Sequence, residues 1–176
     1  MKIILAMVVS LDGKTTKWGE PKIYGWTSKE DQALFSPLIQ KPPLVIMGRK
    51  TFAAAKKIIR LSPTILRIVI TREPNKYRDL SVPGQLEFTN DNPKTLIKKL
   101  ASRGFTEALL MGGEQVNTSF FKAKLINEIW LTIEPLIFGA GNNLVLPEKF
   151  NIDLSLQDIE RLNEKGTLLL KYKVND

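Results

Sequence analysis

The chain predicts an α/β fold of three layers, α/β/α, with a mostly parallel central sheet that closes in an antiparallel C-terminal hairpin. Three observations predict it. Short β-rich apolar runs alternate with segments of helical periodicity, which is the signature of strands joined by helical crossovers. The runs are apolar without alternation, as strands buried on both faces must be. Two strand-forming segments at the end of the chain are separated by Asn163-Glu164-Lys165-Gly166, a hairpin turn.

The elements follow in order. Residues 2–9 are near-continuously apolar and form a first strand. It runs into the turn Ser10-Leu11-Asp12-Gly13-Lys14, with Gly13 at a position suited to positive φ. Residues 14–27 form a long polar loop containing Gly19, Pro21 and Gly25, and a loop of that length in a compact domain points to function. Thr27 or Ser28 caps a helix whose first turn carries Glu30 and Asp31 and whose apolar stripe is Leu34, Phe35, Leu38 and Ile39. Pro42-Pro43 stops it. Leu44 to Met47 is a second strand, ended by Gly48, and a helix runs from about 50 to 60. A third strand spans 65–70, residues 73–83 are a polar loop, and Leu86 to Phe88 is a short strand. Asn92-Pro93 opens a helix that turns Leu96, Ile97 and Leu100 inward and ends before Gly104. A strand at 108–111 ends at Gly112-Gly113, a short helix carries Phe120, Phe121 and Ala123, a strand covers 126–133, and 135–141 is loop. The hairpin strands are about 153–162 and 167–174. The 176 residues read as a single domain, 1–176, with no repeats or linkers.

Composition narrows the chemistry. Cysteine and histidine are both absent, which removes disulfides, thiolate chemistry, serine-histidine triads and most zinc sites, so no metal is expected. Carboxylates, hydroxyls, lysines or an organic cofactor must do the work. The apolar start is too short for a signal peptide and lacks a cleavage site, and no apolar run approaches the ~20 residues of a membrane span. The expectation is a cytoplasmic protein with no membrane partner.

The net charge of +8 resides in the first half: residues 1–88 hold 15 Lys/Arg against 7 Asp/Glu, whereas 89–176 hold 11 of each. Residues 49–72 contain seven basic residues and no acid. The segment Val45-Ile46-Met47-Gly48-Arg49-Lys50-Thr51-Phe52 places a glycine turn between a strand and a helix start. Free backbone N–H groups and the positive end of the helix dipole there favour an anion. Arg49 and Lys50 add charge and Thr51 a hydroxyl donor. A basic surface turn is the competing reading. A nucleic-acid-binding α/β module is a further reading of the same charge. It is disfavoured because Phe52 is the only aromatic in that window. In a sheet of this kind, ligands sit at the carboxyl ends of strands, so the turns at Gly48 and Gly112-Gly113 face one cleft.

Taken together, Val45 to Phe52, Thr71-Arg72, Met111-Gly112-Gly113 and Trp130-Leu131-Thr132 resemble the dihydrofolate reductase superfamily, which includes dihydrofolate reductases and the reductase domain of riboflavin biosynthesis. The resemblance covers nearly the whole chain in order. It implies a dihydrofolate reductase-like fold and NADPH as cofactor, with a small-molecule pterin or pyrimidine substrate and no nucleic acid. By position, Gly48, Arg49, Lys50 and Thr51 match the turn that holds the cofactor phosphates. Thr71 and Arg72 match the strand end that receives the adenosine 2′-phosphate. Gly112, Gly113, Glu114, Gln115 and Val116 match the turn that admits the pyrophosphate and nicotinamide, which Ala6 and Met7 line.

On the substrate side, Trp26, Asp31 and Phe35 reproduce the spacing of the dihydrofolate reductase helix, with Thr132 as the hydroxyl that supports its carboxylate. The resemblance gives Asp31 and Thr132 catalytic roles and makes Met7, Trp26 and Phe35 substrate contacts. Arg60 and Arg67, with Lys56 or Lys57, are candidates for the substrate's tail. A buried carboxylate accepts an N–H pair from a 2-amino-4-oxo pyrimidine ring, and desolvation raises its pKa. A plain first-turn helix acid is the competing reading of Asp31.

Other segments resemble the riboflavin-type reductases: Ser10 to Lys14, Gly112 to Glu114, Ser119 to Ala123, Asn127 to Pro135, and Phe138-Gly139-Ala140-Gly141. Asn117 stands where dihydrofolate reductases usually carry a tyrosine. Asp12 and Lys14 read as turn residues, with catalysis as the competing role. The first reading is therefore NADPH-dependent reduction of 7,8-dihydrofolate to tetrahydrofolate. The alternative is reduction of a 5-amino-6-(ribosylamino)pyrimidine phosphate in riboflavin biosynthesis. Both a monomer and a homodimer are compatible with the resemblance.

Overall fold

A computed structural model describes residues 1–20, 25–38 and 43–175, with Ser36 described by its backbone only. The positions Pro21, Ile39 and Pro42 named above lie outside the described residues. The elements are β1 (Lys2–Ser10), α1 (Lys29–Leu38), β2 (Leu44–Gly48), α2 (Arg49–Ala55), β3 (Leu66–Ile70), β4 (Leu86–Thr89), α3 (Pro93–Ser102), β5 (Glu107–Leu110), α4 (Glu114–Lys122), β6 (Glu128–Glu134), β7 (Leu154–Arg161) and β8 (Leu168–Val174). The strands form one sheet in the order β4-β3-β2-β5-β1-β6-β8-β7. All neighbours are parallel except β8, which runs antiparallel to β6 and β7.

Burial follows the strand period of two and separates two cores. In β1, Ile3 and Leu5 point to one face, and Ile4 and Ala6 to the other. The first face packs with Leu96 and Leu100 of α3 and with Phe120 and Phe121 of α4. The second packs with Phe52 of α2 and Phe35 of α1. A strand covered on both faces cannot alternate polar with apolar, which explains the unbroken apolar runs.

Differences from the sequence expectation concern element ends. Helix α2 stops at Ala55 and not near 60, and the N–H groups of Ile58 and Ile59 both turn back to the Ala55 carbonyl. Phe52 is its one buried side chain, and a helix draws most of its stability from packing an apolar face. The polar stretch after β3 contains a 3-10 turn, Pro74–Leu80, with proline at its start. Asn92 caps α3 by accepting the Thr95 N–H at 3.0 Å. Ser28, not Thr27, caps α1, its Oγ accepting the Asp31 N–H at 3.2 Å. Among the described residues, no helix is long and apolar enough to cross a membrane.

Phe120 is fully buried between α4 and the sheet, and Ile159 on edge strand β7 is 57% exposed. Phe120→Ala is expected to lower unfolding stability by about 3–5 kcal/mol in urea titrations, the range for a core aromatic. Ile159→Ala should change it by less than about 1 kcal/mol.

Candidate active site

The carboxyl ends of β2, β5, β1 and β6 come together. Gly48 at the end of β2 donates its N–H to the Gly112 carbonyl at 2.7 Å. Gly112 has φ +77°, and a Cβ built there would stand 2.8 Å from Met7 Sδ. A Cβ on Gly48 would meet Val116 Cγ2 at 3.0 Å, and one on Gly113 would lie 3.5 Å from Thr51 Oγ1. The Gly112–Gly113 peptide is cis. Glycine at residue 112 is therefore favoured by its conformation, and at residues 48 and 112 a side chain would have to displace Val116 or Met7. Around this corner Val116 and Gly112 lie against Gly48, Met7 against Gly112, and Thr51 against Gly113.

The remaining cofactor candidates surround that corner. Arg49 and Lys50 are exposed on the first turn of α2, and Gln115 on that of α4. Glu114 accepts the Asn143 N–H at 3.1 Å. Ala6 is buried one residue before Met7. Thr71 is buried just past β3, where its Oγ1 accepts the Glu73 N–H at 3.4 Å, and Arg72 beside it is exposed.

One residue beyond Met7, Val8 pairs with Thr132 of β6. The Thr132 hydroxyl hydrogen-bonds the Asp31 carboxyl. Asp31 is 3% exposed and Thr132 1%. Burial is the main cause that pushes the Asp31 pKa up, from 3.8 to about 6. The Thr132 hydrogen bond opposes the rise, and the charge of Glu134 adds to it. Phe35 packs half-buried against the second core. Trp26 sets its ring edge-on to Phe138, with centroids 5.1 Å apart.

Among the described residues, three buried polar atoms lack a protein partner: Trp26 Nε1, Asp31 Oδ1 and Asn117 Oδ1. Buried polar atoms are ordinarily paired, so each needs an explanation. A donor from Trp26 and an acceptor from Asp31, both at the entry to α1, suit a flat ring that bears both a carbonyl and an N–H.

Asp12 and Lys14 have fastening roles. Asp12 accepts hydrogen bonds from Ser10 Oγ at 2.5 Å, Phe138 N at 3.2 Å and Gly139 N at 2.8 Å, which hold its carboxyl down at about 2. Lys14 Nζ donates to Asn143 Oδ1 at 2.7 Å. These contacts tie the turn after β1 to the 138–143 loop, and Phe138 in turn packs on Trp26.

The tail candidates are not brought to this end of the sheet. Arg67 is buried in β3, paired with Val45 and Leu86, and its Nη1 reaches the Ile65 carbonyl at 3.5 Å. Three strands separate β3 from β6, roughly 19 Å at about 4.8 Å per strand. Arg60 is exposed after α2, as are Lys56 and Lys57. Sequence reasoning also missed two residues of the site, Phe138 and the buried Glu134. The signal for Glu134 was present: on β6, the polar or amphipathic Glu128, Trp130, Thr132 and Glu134 alternate with Ile129, Leu131 and Ile133.

A parallel α/β sheet with a double-glycine corner and a buried acid at the carboxyl ends of its strands defines a dihydrofolate reductase-like reductase fold. The model of the RibD C-terminal domain, the reductase domain of riboflavin biosynthesis, matches residues 1–168, and the chain belongs to that family. A Bacillus subtilis (strain 168) relative, the uncharacterized protein YyaP, is 25% identical over 99% of this chain and 95% of its own. A Shewanella sp. PV-4 protein, assigned provisionally to riboflavin biosynthesis, superposes with TM-score 0.79 at 20% identity over the whole of both chains. A Thermotoga maritima diaminohydroxyphosphoribosylaminopyrimidine deaminase/5-amino-6-(5-phosphoribosylamino)uracil reductase gives TM-score 0.72 at 14% identity, with 99% of this chain covering 56% of that one. These structural likenesses concern the fold. The family match corrects the order of the two substrate readings, because it favours the riboflavin-type alternative and lends dihydrofolate no support.

Asp31 titrates higher in the folded chain than in the unfolded one, so its proton stabilises the fold at low pH. That contribution is complete below about 4 and is lost as pH rises through about 6. At about 1.4 kcal/mol per pH unit, the difference is at most roughly 3 kcal/mol. Asp31→Asn is expected to flatten the unfolding stability measured by urea titration between about pH 4 and pH 6.5 relative to the parent.

Proposed function

We propose that the chain is an NADPH-dependent reductase of the riboflavin type, acting on a 5-amino-6-(ribosylamino)pyrimidine phosphate. The observation that carries this reading is the buried Asp31–Thr132 pair with its open Oδ1, beside a close-packed glycine corner, in a member of the RibD C-terminal domain family.

The residues suit a dinucleotide. The corner exposes backbone where a Cβ would intrude, and backbone N–H groups at strand-to-helix turns favour phosphate. Thr51, Gly113 and the first turn of α4 would hold the pyrophosphate. Arg72, with Thr71, would take the adenosine 2′-phosphate, and Met7 would line the nicotinamide. When bound, NADPH supplies the hydride.

The chain's own residues place the acceptor. Asp31 accepts the ring N–H, Thr132 holds the carboxyl in orientation, Trp26 donates to a ring carbonyl and Phe35 packs on the ring face. Reduction of a ribosylamine adds hydride at the anomeric carbon and a proton at the sugar ring oxygen, leaving an open polyol. A monomer or a homodimer would serve equally, since every group named lies on one chain.

NADPH oxidation followed with the pyrimidine phosphate and with dihydrofolate tests the reading. Turnover of the pyrimidine phosphate is the expected result, and turnover of dihydrofolate alone would reject it. Asp31→Asn is expected to leave NADPH affinity within about twofold, read by nicotinamide fluorescence, while turnover falls by roughly 10²-fold or more. Unchanged turnover would remove Asp31 from the chemistry.

A further inference from the structure

Strand β6 carries a second buried carboxylate one strand period beyond Thr132. Glu134 is 3% exposed, and both of its oxygens are engaged. One accepts the Ser28 N–H at 2.6 Å, and the other the Thr167 hydroxyl at 2.7 Å. Thr167, itself buried, opens β8 and accepts Asn163 Nδ2 at 2.9 Å, while that same amide reaches Glu30 at 3.1 Å.

Glu134 thus joins β6 to the cap of α1 and to the end of the hairpin turn. Thr132 and Glu134 share a face of β6, and Ser28 and Asp31 lie one helical turn apart at the start of α1. The strand grips the helix at two rungs: Glu134 on the Ser28 backbone and Thr132 on the Asp31 carboxyl. Ser28 closes the figure by accepting the Asp31 N–H.

We propose that Glu134 is the positioning residue of Asp31: through the Ser28 backbone it pins the helix turn that carries the acid. The groups around the pair are Thr132 from β6, Ser28 and Gln32 from α1, Trp26 before it, Thr167 and Asn163 from the hairpin, and Ser10 from β1, in register with Glu134. Gln32 is turned to Thr27. Lys29 and Lys165 bear on Glu30, farther out on the network. Among these groups only Asp31 and Glu134 are both buried and titratable, and the charge of Glu134 acts on Asp31 in the upward direction, as the smallest of three causes after burial and the opposing Thr132 hydrogen bond. The inference concerns the placement of Asp31 and holds for any substrate, so its failure is distinct from failure of the reductase reading.

Carboxyl NMR titration of protein labelled at aspartate and glutamate side chains reads it directly, with Asp31→Asn identifying the Asp31 signal. In Glu134→Gln, which keeps shape and removes charge, the Asp31 midpoint is expected to fall. An unchanged midpoint overturns the proposal. The parent protein gives a second test that does not depend on how the variant folds. The Glu134 carboxyl lies on the same network and reports the charge on Asp31 through space, so its signal should inflect at the Asp31 midpoint and lose that inflection in Asp31→Asn. A Glu134 signal blind to Asp31 overturns the proposal as well.

Discussion

A carboxylic acid removed from water needs a fixed partner, and the Asp31–Thr132 hydrogen bond meets that need. The bond exists only because α1 docks its first turn on the second face of the sheet at the level where β6 ends. That docking uses the Ser28 cap, the packing of Phe35 and the anchor of Glu134 on the Ser28 backbone. The helix is amphipathic and holds position through its entry turn as much as through its apolar stripe. The result is a buried acid with Oδ1 open and a pKa raised to about 6.

The second organising constraint is close approach of backbone. The Gly48 N–H to Gly112 carbonyl bond brings the ends of β2 and β5 together, and Met7 and Val116 press on the corner from β1 and α4. A methyl group at residue 112 would overlap the Met7 sulfur, so the corner keeps its backbone bare. Asp12, Lys14 and Thr16 fasten the 138–143 loop across the same end of the sheet. A Cβ on Gly141 would stand 1.9 Å from the Thr16 carbonyl oxygen, which shows how closely these two segments are held. A loop clasped this firmly can carry Phe138 against Trp26 in a fixed orientation.

Much of this was legible from local pattern. Both glycine turns, the cap before Asp31, the hairpin turn and the order of strands and helices follow from residue type and spacing. Asn163 and Gly166 form that turn, with Asn163 accepting the Thr167 N–H and Gly166 at φ +94°. The length of α2 was not legible, because Lys56 and Lys57 have good helix propensity while the chain turns after Ala55 and brings Ile59 against the second core. Arg67 is a candidate for the substrate's tail in sequence, yet its register opposite Val45 buries it within β3. Glu134 stood in view within an alternating strand, but its partners lie 106 and 33 residues away, on elements that no local window joins to it.

The sequence by itself determined the fold class, the glycine turns after two strands, and the pair of acids, Glu30 and Asp31, at a helix start beside a tryptophan. These depend on conformational freedom, periodicity and capping, which act over a few residues. Only the tertiary structure decided which groups Asp31 meets, how far its proton is retained, and which basic residues remain at the surface. Those outcomes depend on burial and on pairing between β6, α1 and β8. Desolvation and charge act through space, and spacing along the chain does not report distance across a sheet.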